Sequence, residues 1–169
     1  MVDSHEGIPH IEVTKEELLS SDLIPFQKAA KARVELIMLG HLQIDCLDSQ
    51  FPSTFSRETY RFLRDQLKYR NLIITDDMQM GAVVKTVGLE HHPAVHALMA
   101  GADLVLYRNY EESYRALEAI KKAIVDKGLT YQDLEQKWSR QMKAKKMLGK
   151  RDLVSFLKKA QEVCSSKSH

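Results

Sequence analysis

Cysteine is nearly missing from this chain: Cys46 and Cys164 are the only two among 169 residues. They share no metal or redox spacing, so reduced thiols in an intracellular chain are expected. Long apolar runs are missing too. No stretch approaches the ~20 residues of a membrane span, and the N-terminus shows no signal-peptide core. No membrane partner is expected, and the cytoplasm is the default location. Nor does charge of one sign dominate. Twenty-five basic residues stand against 23 acidic ones, a net charge of +2, which excludes the broad positive field of a nucleic-acid binder. Lysine and arginine do gather late in the chain, at Lys137, Arg140, Lys143, Lys145, Lys146, Lys150 and Arg151. Their helical spacing among acids reads as a solvated face.

What is present is ordinary globular material. The chain is 44% hydrophobic and 28% charged, and at this length it forms one domain that buries roughly 70% of its unfolded surface. Thr14 and Glu17 have capping-box spacing ahead of "EELLSSDLIPFQKAAKA", a helical stretch with a restart at Ser21 or Asp22 and Pro25 in its first turn. "VELIML" (34–39), "NLIIT" (71–75) and "DLVLY" (103–107) are apolar strand candidates. Between them, Ser56 caps a helix to about Leu67 with Tyr60, Leu63 and Leu67 on one face. Pro93 opens "PAVHALMAG" and Gly101 closes it. "EESYRALEAIKKAIVDKG" is a helix with Tyr114, Leu117, Ile120 and Ile124 inward and Gly128 at its end. Thr130 starts another that carries Leu134, Trp138 and Met142, and "DLVSFLKKAQEV" finishes the chain.

Strands that alternate with helices and are apolar on both faces predict an α/β protein, a parallel sheet covered by helices. Chemistry in such folds gathers at the carboxyl ends of strands. Those ends are Gly40–His41, Asp76–Asp77 and Tyr107–Arg108–Asn109. Side chains alternate along a strand, so Asp76 shares a face with Ile74 and Leu72 while Asp77 points the other way. One carboxylate can face the site mouth while the other caps a helix that begins near Met78. His92 and His96 lie one helical turn apart, but with no third ligand in view they are not read as a metal site. Three strands are too few for a closed barrel, and five helices too many for a free-standing three-stranded sheet.

Two families share the central segment. The "LIITDDMQM" string resembles the phosphoacceptor strand of response-regulator receiver domains, and "AGADLVLYRN" is similar to their last strand. A receiver also needs an earlier acidic pair, a Ser or Thr strand end between the two, and a Lys where Arg108 stands. All three are missing. The second resemblance covers almost the whole chain: "DSHEGIPHI" (3–11), "LIPF" (23–26), "LIMLGHL" (36–42), "FPSTFS" (51–56), "LIITDDMQMGAV" (72–83) and "HALMAGADLVLY" (96–107), in order. These pieces resemble glycoside hydrolase family 3, in its bacterial β-N-acetylhexosaminidase branch.

That resemblance implies a (β/α)₈ barrel, of which this chain is a part: about three parallel strands, six to eight, with flanking helices. It implies a catalytic domain portion over residues 1–150 and a C-terminal helical extension over 151–169. It further implies hydrolysis of terminal β-linked N-acetylglucosamine with retention, on a cell-wall muropeptide or a chitin fragment, with no cofactor or metal. Asp76 matches the nucleophile, His5 the general acid/base, Asp3 the carboxylate that polarises it, and His41 a wall of the substrate site. The residue types suit the chemistry, since a retaining glycosidase needs an attacking carboxylate and a second group that first donates and then accepts a proton. A histidine near pKa ~6.5 does both at neutral pH. Relatives carry a long segment ahead of D-S-H, whereas Met1 and Val2 directly precede Asp3 here. The expectation is therefore a partial barrel, inactive alone, that self-associates or pairs with a complementing half-barrel. The alternative is a non-catalytic remnant that binds a partner.

Overall fold

The computed structural model describes residues 7–84, 86 and 89–148. The chain enters on a short strand, β1 (His10–Ile11), and Thr14 then opens α1 (Lys15–Ser20). The Thr14 hydroxyl accepts from the Glu17 amide while the Glu17 carboxylate accepts from the Thr14 amide, which satisfies donors that a helix start leaves unpaired. The restart, α2 (Ile24–Lys31), begins at Leu23 rather than at Ser21 or Asp22. The Ser21 amide is spent on Glu17 O and closes α1, and Ile24 N bonds back to Ser21 O.

Strands β2 (Leu36–Leu39) and β3 (Gln43–Ile44) follow. Ser56 caps α3 (Arg57–Arg61) through its hydroxyl to the Thr59 amide. The helix expected to run to Leu67 instead widens into a π turn at Phe62–Gln66, which the Leu67 amide closes onto Phe62 O. Tyr60 and Leu63 are buried as expected. Strand β4 (Leu72–Asp77) runs through both carboxylates. Next come α4 (Gly81–Val84) and α5 (Pro93–Ala100), the latter ended by Gly101 at φ 145°. Strand β5 (Leu104–Leu106) leads to α6 (Tyr110–Val125), whose first amides the Asn109 side chain accepts, and α7 (Tyr131–Leu148) is the last described helix. The left-handed residue after α6 is Lys127, φ 60°, not Gly128, whose amide instead bonds Ala123 O. The expected helix over 152–163, and with it the 151–169 extension, lies outside the described residues.

Strands β2, β4 and β5 form a three-stranded parallel sheet in that order, as the alternation of elements requires. Leu36 to Leu39 pair with Leu72 to Thr75, and Ile74 with Leu104. Strands β1 and β3 make a separate parallel pair, His10 with Gln43 and Ile11 with Ile44. Two residues each are too short to show any periodicity, so the sequence hides them.

Among the described residues, helices cover one face of the main sheet, and reach the other only at the start of β4, where Leu72 is 7% exposed beside α7. On the covered side Ile37, Ile73 and Thr75 are buried, packed with Phe55, Tyr60, Leu63 and Tyr69. Register and alternation place Leu36, Met38, Ile74 and Leu104 on the opposite face. There Leu36 is 43% and Met38 49% exposed. The sequence predicts cover on both faces; the described residues supply it mainly on one.

Two helix faces also differ from expectation. In α6 Ile120 and Ile124 pack inward as expected, joined by Ala116 and Ala123, whereas Tyr114 and Leu117 are exposed. In α7 Trp138 is exposed, and the docking side is polar. Lys137, read from sequence as solvated, is only 7% exposed and donates to Ala102 O at 2.8 Å. Burial lowers its pKa to about 8. Arg140 Nε reaches Asp103 Oδ1 at 2.7 Å, and Gln141 donates to Asp103 O. The reason is Asp103. Its buried carboxylate also takes Arg64 Nη2 at 2.7 Å and the Ile73 amide at 2.9 Å, and a buried charge requires such partners. Among the described residues no helix is long and apolar enough to cross a membrane.

Candidate functional site

Parallel strands carry their carboxyl ends to one edge, and the three expected strand ends meet there. Between Ile74 and Asp77, β4 advances three residues while its partner β5 advances two, from Leu104 to Leu106. The extra residue makes a bulge, a device that bends a strand and re-aims its side chains. Thr75 repairs the lost ladder bond, its hydroxyl accepting from the Leu106 amide at 3.1 Å. Thr75 is fully buried on the helix side and Asp76, the next residue, is half-buried. Asp76 Oδ1 accepts from the Asp77 amide at 2.7 Å.

Asp77 ties the three strand ends together. Its Oδ1 accepts from the Gln79 amide at 3.1 Å, and its Oδ2 pairs with Arg108 Nε, beyond β5, at 2.9 Å. Its carbonyl lies 3.0 Å from His41 Nε2, beyond β2. Gln79 Oε1 in turn accepts from the Asn109 amide at 2.9 Å. The turn role expected of Asp77 is thus present. A helix cap it is not, because α4 starts at Gly81 rather than near Met78. Sequence reasoning missed the Arg108 pairing, although a cation at one strand end beside acids at another was a usable signal.

His41 is 1% exposed. A carbonyl only accepts, so Nε2 facing Asp77 O carries the ring proton, and in the neutral ring Nδ1 takes the Thr54 hydroxyl proton at 2.7 Å, a shorter contact than the 3.1 Å from the same hydroxyl to Gly40 O. Burial lowers the pKa of His41, and the Asp77 carbonyl and the Asp76 and Asp77 carboxylates oppose that shift, so the neutral ring prevails at pH 7. Both ring nitrogens are engaged by protein. Thr54, quoted within "FPSTFS" but given no role there, lies thirteen residues from His41, and no local pattern couples them. Asp3 and His5 lie outside the described residues. The chain five residues beyond His5 is held by β1, which pairs with β3 just past His41. His92 and His96 are otherwise employed: His92 Nδ1 accepts from the Ala94 amide, and His96 packs on Phe51 and Phe55.

A profile of the glycosyl hydrolase family 3 N-terminal domain matches residues 1–144. The chain belongs to glycosyl hydrolase family 3. Within it, curated relatives above 30% identity include β-hexosaminidases of several bacteria. The chain is 36% identical over 114 residues to a β-hexosaminidase of Haemophilus influenzae, covering 66% of this chain and 32% of that protein. It is 33% identical over 132 residues to one from Methylococcus capsulatus, covering 76% and 38%. A family 3 β-N-acetylglucosaminidase from Paenibacillus superposes with a TM-score of 0.81 at 28% identity, covering 86% of this chain and 28% of that one. The chain thus spans about a third of the length of the curated relatives it matches. The family match decides between the two resemblances, against the receiver domain.

Proposed function

We propose that this chain carries the nucleophile side of a retaining β-N-acetylhexosaminidase site. The observation that carries the reading is Asp76 on the bulged carboxyl end of β4, its carboxylate anchored by one backbone amide beside the sheet's uncovered face. Relatives named as β-hexosaminidases support the substrate class, a glycan bearing terminal N-acetylglucosamine. Asp76 attacks the anomeric carbon and forms the glycosyl-enzyme intermediate, and water then releases the sugar with retention. His5 protonates the leaving oxygen and later deprotonates the water, and Asp3 stabilises its imidazolium. His41 walls the site from behind, holding the Asp77 carbonyl.

Turnover requires more of the barrel than this chain provides. Holding a sugar in attack geometry is worth ~7–11 kcal/mol of barrier, and among the described residues no helix covers the sheet face beside Asp76. A complementing half-barrel, from a longer chain or a second polypeptide, supplies that wall. The test is release of 4-nitrophenol from its β-N-acetylglucosaminide by the chain alone, and by the chain co-expressed with the preceding part of a relative's domain. The pair is expected to hydrolyse and the chain alone not, with Asp76→Asn and His5→Ala abolishing activity. Robust turnover by the chain alone refutes the need for a complement, and full activity of Asp76→Asn refutes the nucleophile. The same uncovered face favours a second reading, a non-catalytic unit that binds a partner; Asp76→Asn would then leave that binding intact.

A further inference from the structure

A cavity of about 530 Å³ lies between α3, the π turn, α5 and α7. That volume lies within the range of small-molecule sites. Six cations line it: Arg57, Arg61, Arg64, Arg70, Lys137 and Arg140. The carboxylates facing them are Asp65 and Asp133 in the wall, with Asp103 and Glu58 behind.

Docking of α7 accounts for part of this charge. Arg64 and Arg140 are held by Asp103, and Arg61 by Glu58 at 2.8 Å. Lys137 gives one of its three donors to Ala102 O. Arg57 and Arg70 have no ion pair among the described residues, and they stand exposed on the rim. Two rim guanidiniums around a cationic floor are more than helix packing requires. Guanidinium forks match phosphate oxygens two bonds at a time, and like charges gathered around one cavity lose their mutual repulsion when an anion enters.

We propose that this cavity binds a small phosphorylated molecule, with the Arg57 and Arg70 side chains gripping phosphate oxygens from the rim. The site lies at the amino ends of the strands, away from Asp76, and does not rest on the hydrolase reading.

Inorganic pyrophosphate is the probe, titrated into the full chain by calorimetry, with sodium chloride at matched ionic strength as control. Saturable binding is expected, weakened by about tenfold or more in the Arg57→Ala/Arg70→Ala double variant. Both residues are exposed, so the melting temperature of the free variant should match that of the parent. A second reading comes from Arg57→Lys/Arg70→Lys, which keeps the charge but loses the forks and should bind with intermediate affinity. No saturable binding, equal binding by parent and double variant, or a thermal shift reproduced by sodium chloride alone would each overturn the proposal.

Discussion

Five partners converge on Asp77: the Arg108 guanidinium, the Gln79 amide, the His41 ring and the Met80 amide on its carbonyl and, through its own amide, the Asp76 carboxylate. Their energies differ. Arg108 is largely exposed, so its ion pair is worth no more than about 1 kcal/mol, and Arg108→Ala should shift the urea midpoint little. Thr54 is fully buried. Thr54→Val strands His41 Nδ1 without a donor and should cost about 1–3 kcal/mol in urea unfolding. His41 also sets a pH dependence. Its folded pKa is lowered by burial, as are those of His92 and His96, so below about pH 6.5 the unfolded chain binds more protons. Stability from these rings is fully present above that pH and is lost as pH falls toward the folded pKa. The urea midpoint should therefore drop between about pH 7.5 and 5.5, and drop less in His41→Gln. An unchanged slope in that variant would remove His41 from the account.

Among the elements, α7 is held by charge rather than by an apolar stripe. Asp103 binds Arg64 from the π turn, Arg140 from α7 and the Ile73 amide from β4. Asp103→Asn leaves two partly buried guanidiniums short of a counter-charge. It should cost about 3–5 kcal/mol and release α7 to limited proteolysis before the rest of the chain. Gly101 sets how closely α5 meets α3. Its φ of 145° suits glycine, and a Cβ there would lie 2.6 Å from Tyr60 Cβ. Gly101→Ala should lower the melting temperature, at a cost of at least about 1–3 kcal/mol from backbone strain alone.

For the whole molecule, the uncovered sheet face is the governing fact. Leu36 and Met38, with Leu106 37% exposed at the end of β5, present apolar surface that a parallel sheet normally buries. Sedimentation of the chain alone should show association that rises with concentration, and Met38→Lys should suppress it without lowering the melting temperature. Covering this face by a complementing half-barrel should protect it from association in the same measurement.

Element types and the ordered motifs were legible from residues alone, because helix caps, strand periodicity and the "LIITDD" strand end are local signals. The strand reading placed Asp76 at a strand mouth, and the resemblance carried by the ordered motifs implied the family and the partial barrel. What the tertiary structure decided is which groups share space across long stretches of chain. It set Thr54 against His41, Arg108 against Asp77, and Arg64 and Arg140 against Asp103, pairs separated by 13 to 39 residues. It turned Lys137 and Arg140 of α7 inward, since a buried carboxylate recruits cations that periodicity assigns to water, while Lys143, Lys145 and Lys146 stay exposed. Among the described residues it also left Leu36 and Met38 on one sheet face exposed, because alternation along a strand marks two faces but does not say whether anything covers them.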